Sequence, residues 1–187
     1  MSELPNGLVW GYHGTSSVFA KKHLTEGIPV TNFSGDWLGH GAYFWEGDYD
    51  RAEEWARLHA ITKYGGTPIV FQAVIDLNNC LDLTLITDRR LLEEVVKEMC
   101  DEMPLEKRQR LKQNYYTREL DCGAINNLVQ RARKSDGSPQ FTTVRGAFRE
   151  GDPVYRTSEG LESGVCNRDH IQINVIQNTA IHSLEIV

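Results

Sequence analysis

No stretch of the 187-residue chain approaches the ~18 consecutive apolar residues that a membrane span requires. The best run, Ile69 to Leu77, is broken by Gln72 and Asp76, so no membrane partner is expected. Met1 to Gly7 lack the basic start and apolar stretch of a signal peptide, which makes the cytoplasm the expected location. The four cysteines, Cys80, Cys100, Cys122 and Cys166, contain no Cys-x-x-Cys pair. That argues against a zinc ribbon or a thioredoxin-type site, and for buried free thiols. The six histidines show no His-Glu-x-x-His pattern, so no metal is expected. Positive charge is not in excess either. The formal charge of −6 excludes a surface coated in basic residues for non-specific nucleic-acid binding. There is no internal repeat and no low-complexity tract, which excludes solenoids and fibrous architectures.

What the chain does contain suits a compact core. Hydrophobic residues make up 40% and charged residues 25%, and the length fits a single domain over 1–187. Alternation and β-branched or aromatic content predict strands at 9–12, 42–45, 69–75, 142–148, 171–176 and 180–186. Within 69–75, Ile69, Phe71, Ala73 and Ile75 share one face and Val70, Gln72 and Val74 the other, so both faces are expected to be covered. A short helix is predicted over 17–25, with Val18, Ala20 and Leu24 buried and Gly27 stopping it. A second is predicted over 50–64, where Asp50 stands three residues before Glu53 as a carboxylate capping box. A third starts at Asp88, carries Leu91, Leu92, Val95, Val96 and Met99 at helical spacing, and ends at Pro104. Strands of mixed length with helices set between them place the chain in the α+β class, with a helical, basic insertion at about 88–134.

Charge is unevenly spread. Residues 105–150 carry +5, leaving −11 for the remainder. This stretch reads either as a solvated helix surface or as a landing strip for an anionic partner, with Tyr115 and Tyr116 interleaved for stacking.

The densest chemical signal lies in the first third. Gly11-Tyr-His-Gly-Thr15 places a histidine at a strand end with a glycine directly after it, so a side chain and a bare backbone can approach one ligand together. Further on, Asp36-Trp-Leu-Gly-His-Gly-Ala-Tyr-Phe-Trp45 sets Gly39 and Gly41 around a turn into an aromatic strand. These two motifs, with the helix that follows, resemble the ADP-ribosyltransferase superfamily, in the branch typified by diphtheria toxin and the poly(ADP-ribose) polymerases. The resemblance covers Val9 to Leu77, weakens through the middle, and resumes near Val144.

That resemblance implies an ADP-ribosyltransferase-like fold of two packed antiparallel or mixed sheets, with an NAD cleft between them. It implies NAD as the substrate, with no metal. His13 would hold the adenosine ribose, the Gly14 backbone would pair with the nicotinamide carboxamide, and the Tyr43 ring would stack on the nicotinamide. Thr15, Gly41 and Phe44 would complete the NAD contacts, although Thr15 and Ser16 are equally suited to cap the helix that follows. Trp37 and His40 lie in the loop expected to cover the dinucleotide, while Tyr12 is expected to pack in the core and His170 beside the strand.

The sequence departs from the family at the third motif. Where a glutamate is expected on a late core strand, Asp169-His-Ile-Gln-Ile-Asn-Val175 offers Gln172, which can hydrogen-bond ribose hydroxyls but cannot act as a base. A carboxylate from elsewhere is then needed, with Glu150 first and Glu162 or Asp169 behind it. Gln172 could also be a sheet residue satisfied by neighbours, and Glu150 a surface charge. The implied function is mono-ADP-ribosyl transfer, of the kind found in intracellular bacterial toxins of toxin–antitoxin or phage-defence modules. The acceptor would be a nucleic acid (RNA or DNA) or a protein, with an antitoxin or immunity protein as a further partner. The competing reading is a catalytically inactive module that binds NAD, ADP-ribose or a protein partner.

Overall fold

The computed structural model of the chain describes residues 4–113 and 117–187; Tyr115 and Tyr116 lie outside them. Strand β1 (Leu8–Ser16) lies antiparallel to β3 (Pro68–Asp76) over its whole length, from Leu8 opposite Asp76 to Ser16 opposite Pro68. β7 (Ile181–Ile186) flanks β3 on the outside. On the other side of β1 come β2 (Ala42–Glu46), β6 (His170–Val175), β5 (Thr143–Phe148) and β4 (Cys80–Asp82). The order is β4-β5-β6-β2-β1-β3-β7, antiparallel throughout except for β4 and β5. This is the α+β architecture that the pattern predicted.

Three short helical segments serve the first half: α1 (Ala20–Glu26), α2 (Tyr49–Trp55) and α3 (Ile61–Tyr64). Parallel neighbours need a long crossover connection. Between β4 and β5 the chain supplies one with α4 (Ile86–Glu102), α5 (Leu105–Gln113) and α6 (Glu119–Arg131). The predicted helical insertion is this crossover. It contributes Ile125 and Val129 of α6 to the core, packed with Leu38, Leu81, Phe141 and Val144, with Leu92 of α4 and Leu128 of α6 against them. The opposite face of the sheet buries Phe44, Phe71, Ile75, Ile173 and Val175, and α2 covers Tyr12, Trp45 and Val70 through Ala52. Both faces of β3 are thus covered, as its alternation predicted.

Several expectations need correction. The strands form one hydrogen-bonded sheet, not two packed sheets. β2 is paired on both sides, with β6 and with β1, so neither half has a free edge along which to separate completely. The β1–β2 pairing covers only Gly11 opposite Glu46 and Tyr12 opposite Trp45. Strand β1 does not end at the histidine but continues to Ser16, because β3 pairs with it that far. The helix after β2 is capped by Asp48, whose carboxylate accepts the Arg51 amide at 3.0 Å, while Asp50 falls inside the first turn. A wider π turn (Ala56–Ala60) separates α2 from α3. Before α1, Ser16 caps a 3₁₀ turn (Ser17–Phe19), which shifts the helix phase and buries His23 instead of Val18 and Leu24. All four cysteines are free; Cys122 and Cys166 are buried and the other two half-buried. Among the described residues, no helix is long and apolar enough to cross a membrane.

Candidate active site

Beyond Tyr12 and Trp45, β1 and β2 part, and a cleft of about 390 Å³ opens against the face of the sheet that carries α2. The size is typical of small-molecule sites. His13, Gly14, Tyr43, Gln172 and Glu150 all line it, together with Trp37, Trp45, Arg51, Trp55, Phe33 and Asp36. Three strands and the segment after β5 therefore bring His13 and Gly14, Tyr43, the glutamine and the candidate carboxylate into one wall.

Alternation turns His13 and Gly14 to opposite faces of β1. Gly14 faces α2, where an added Cβ would sit 1.8 Å from the Ala52 carbonyl oxygen. Only glycine lets the helix approach this closely. His13 points the other way, its ring 5.7 Å from Phe44 and 6.0 Å from His23. It reaches the cleft because the strands separate beside it. The Tyr43 carbonyl lies 2.8 Å from His13 Nδ1. A carbonyl only accepts, so Nδ1 carries the proton and Nε2 is left as an acceptor. Burial pushes the imidazole down to about 4, against the Tyr43 hydrogen bond and with help from His23. The ring is therefore neutral at physiological pH, and Nε2 is suited to accept from a ligand hydroxyl.

Tyr43 is fixed at its far end. Its hydroxyl accepts the Leu38 amide at 2.7 Å and donates to the Gly39 carbonyl at 2.7 Å. Burial raises the phenol well above its ordinary value, despite the Leu38 bond, so it stays protonated. The loop it grips is held by two further side chains. Asn174, fully buried on β6, donates to the carbonyls of Leu38 at 2.7 Å and Gly39 at 3.0 Å. Asn126 on α6 accepts the His40 amide at 2.8 Å. Together they set Trp37 against the cleft, where Phe148 packs at 4.6 Å and the Arg118 guanidinium lies 5.2 Å from the ring.

Other expected contacts fall elsewhere. Phe44 is fully buried in the core, and Thr15 is buried in β1 without lining the cleft. Gly41 is packed so tightly against Asn174 that a Cβ would lie 1.8 Å from its Oδ1. It too is absent from the lining. These three shape the strands around the cleft. His40 contributes its backbone to the loop, and Ser16 takes up the cap. Tyr12 packs in the core as expected and accepts from the Gln72 amide at 2.8 Å. His170 is likewise buried, with Nδ1 donating to the Arg168 carbonyl at 2.7 Å.

Of the three carboxylates considered, only Glu150 lines the cleft. Glu162 pairs with Arg156 at 3.0 Å on an exposed segment. Asp169 accepts the amides of Glu150 at 3.1 Å and Cys166 at 2.8 Å, so it holds the turn that presents Glu150. Gln172 lies between Trp45 and Gly146 across the sheet. Among the described residues its side-chain amide has no hydrogen-bond partner.

Sequence reasoning missed Arg51, Trp55, Asp36 and the two loop-holding asparagines. Arg51 did leave a signal. A cation in the first turn opposes the helix dipole, and such a local conflict often marks function. The asparagines left none, because their partners are backbone groups distant in sequence. Among the described residues no three His, Cys, Asp or Glu side chains are placed to hold a metal. The cleft combines aromatic faces for flat rings, a neutral imidazole acceptor, a guanidinium, an unpartnered amide and a carboxylate. No protein-family model matches this chain, and no curated protein sequence matches it.

Proposed function

We propose that this chain is an NAD-dependent mono-ADP-ribosyltransferase acting on a nucleic-acid or protein acceptor. The observation that carries the reading is the convergence of His13, Tyr43, Gln172 and Glu150, from four separate segments, on one cleft. In this reading the aromatic walls take the nicotinamide and adenine rings, and neutral His13 accepts from a ribose hydroxyl. The bond between ribose C1′ and the nicotinamide nitrogen breaks, its electron pair leaving with neutral nicotinamide. Positive charge develops on the ribose, which the Glu150 carboxylate and the Gln172 amide oxygen stabilise. The acceptor oxygen or nitrogen bonds to C1′, and its proton passes to Glu150.

A glutamine on β6 supplies no base for extending a first ADP-ribose, so the product carries single units. The test is incubation with adenylate-labelled NAD and total cell extract, followed by separate nuclease and protease digestion of the labelled product. Label should enter macromolecules as single units, and the digestion that releases it identifies the acceptor class. His13→Ala and Tyr43→Ala should lose transfer, and Glu150→Gln should lower it by ~10²–10⁴-fold. NAD binding without any transfer supports the inactive-module reading, which the absence of a glutamate at Gln172 favours. Polymeric product refutes the role given to Gln172.

A further inference from the structure

Glu150 does not stand alone in the cleft wall. Arg51 Nη2 donates to Glu150 Oε2 at 3.0 Å, while Nη1 of the same guanidinium is bonded to Glu54. Glu54 is in turn paired with Arg168, next to the Asp169 turn that presents Glu150. The Arg51 side chain is only 12% exposed, against 36% for Glu150. Its guanidinium also lies 5.8 Å from the centre of the Trp45 ring. The cation is thus held by two carboxylates, Glu150 and Glu54, and by an aromatic ring. Among the described residues Glu150 Oε1 has no partner.

An arginine so held is a rigid fork that fixes a carboxylate by one oxygen. We infer that Arg51 is a positioning residue, binding Glu150 by Oε2 and leaving Oε1 turned to receive the acceptor proton. The consequence for turnover rests on the transferase reading; the arrangement itself does not. The alternating row Arg168–Glu54–Arg51–Glu150 carries that fixation from the segment after β5 across to α2. It explains why a basic residue occupies the first turn of that helix against the dipole.

The expected result for Arg51→Gln is a fall in kcat of about 10–100-fold, smaller than the loss on removing the base itself, with KM for NAD within about twofold. Arg51→Lys, which keeps the charge but not the fork, should recover part of the loss. In a Glu150→Gln background, Arg51→Gln should cost nothing more, because the group it acts through is already gone. An equal further loss in that background overturns the inference, and so does a raised KM with unchanged kcat, which would mean direct contact with NAD. A readout without substrate separates this from the transferase reading. The side-chain carboxyl ¹³C resonance of Glu150 should move in Arg51→Gln and stay in place in Arg57→Gln, whose arginine pairs with Glu53 instead. An unmoved resonance in Arg51→Gln overturns the positioning role even where transfer is found. Absence of transfer in the wild type, with the resonance moved, withdraws only the transferase reading.

Discussion

Replacing His13 with asparagine removes an imidazole that the fold keeps uncharged, and the effect should be legible in how stability depends on pH. The ordinary value of 6.5 falls to about 4 in the folded chain. The unfolded chain therefore takes up a proton as the pH drops through 6.5, while the folded chain resists it until about 4. This group's contribution is whole above pH 6.5 and is lost progressively between there and about 4. At ~1.4 kcal/mol for each tenfold difference in proton affinity, the loss reaches about 3 kcal/mol in total and about 2 kcal/mol by pH 5. His23, held below its ordinary value by burial and by Lys22, acts in the same direction. His13→Asn should therefore flatten the slope without abolishing it. Urea unfolding followed by tryptophan fluorescence from about pH 7.5 to pH 5 measures that slope in both proteins. An unchanged slope in His13→Asn, or an imidazole resonance titrating near its ordinary value, would refute the neutral, buried assignment and with it the role of Nε2 as an acceptor.

Gly14→Ala should push α2 off β1, because its Cβ would sit 1.8 Å from the Ala52 carbonyl oxygen. The expected cost is at least the ~1–3 kcal/mol of overpacking, and ligand binding should weaken as Arg51 moves with the helix. Arg145 is bonded through Nε and Nη2 to Glu46, at 2.6 and 2.9 Å, and through Nη1 to Asp82 at 3.0 Å. Arg145→Ala leaves both carboxylates partly buried and unpaired, which should cost about 2–4 kcal/mol in chemical denaturation, below the fully buried limit because all three groups retain some exposure. Tyr43→Phe keeps the ring in the cleft but strands the Leu38 amide and leaves the Gly39 carbonyl to Asn174 alone. It should lose about 1–3 kcal/mol and sharply accelerate hydrogen exchange at Leu38; an unchanged Leu38 rate would show that Asn174 and Asn126 suffice to hold the loop.

Placing Glu150 beside Arg51 also bears on the basic segment between Leu105 and Glu150. Part of its positive charge is already neutralised within the fold, Arg110 by Glu119 at 3.1 Å and Arg131 by Glu98 at 2.9 Å. These pairs are exposed, as a solvated helix surface requires. Arg118, paired with Asp121 at 3.5 Å, also reaches the cleft. It has a positive φ of 58°, which places a non-glycine residue in the left-handed region, and its guanidinium packs on Trp37 at the cleft.

The α+β class, both covered faces of β3, the helical stretch before β5 and the free thiols follow from composition and local periodicity. These features depend on the side-chain pattern of each segment, which folding preserves. His13, Gly14, Tyr43, Gln172 and Glu150 could be singled out in the sequence as residue identities, and all five line the cleft. Their geometry could not be read there. His13 sits on the far face of β1 by alternation and enters the cleft only where the β1–β2 ladder stops, a boundary that no local signal marks. Phe44 turns into the core because it neighbours Tyr43 on the strand and faces the opposite way, whereas Thr15 and Gly41 share the parity of His13 and Tyr43 and are taken up instead by burial in β1 and by contact with Asn174. The grip of Asn174 and Asn126 on the Trp37–His40 loop, and of Arg51 on Glu150, joins residues as much as 136 positions apart. Such pairings are fixed when sheet, crossover helices and loops close on one another, and only the tertiary structure could decide them.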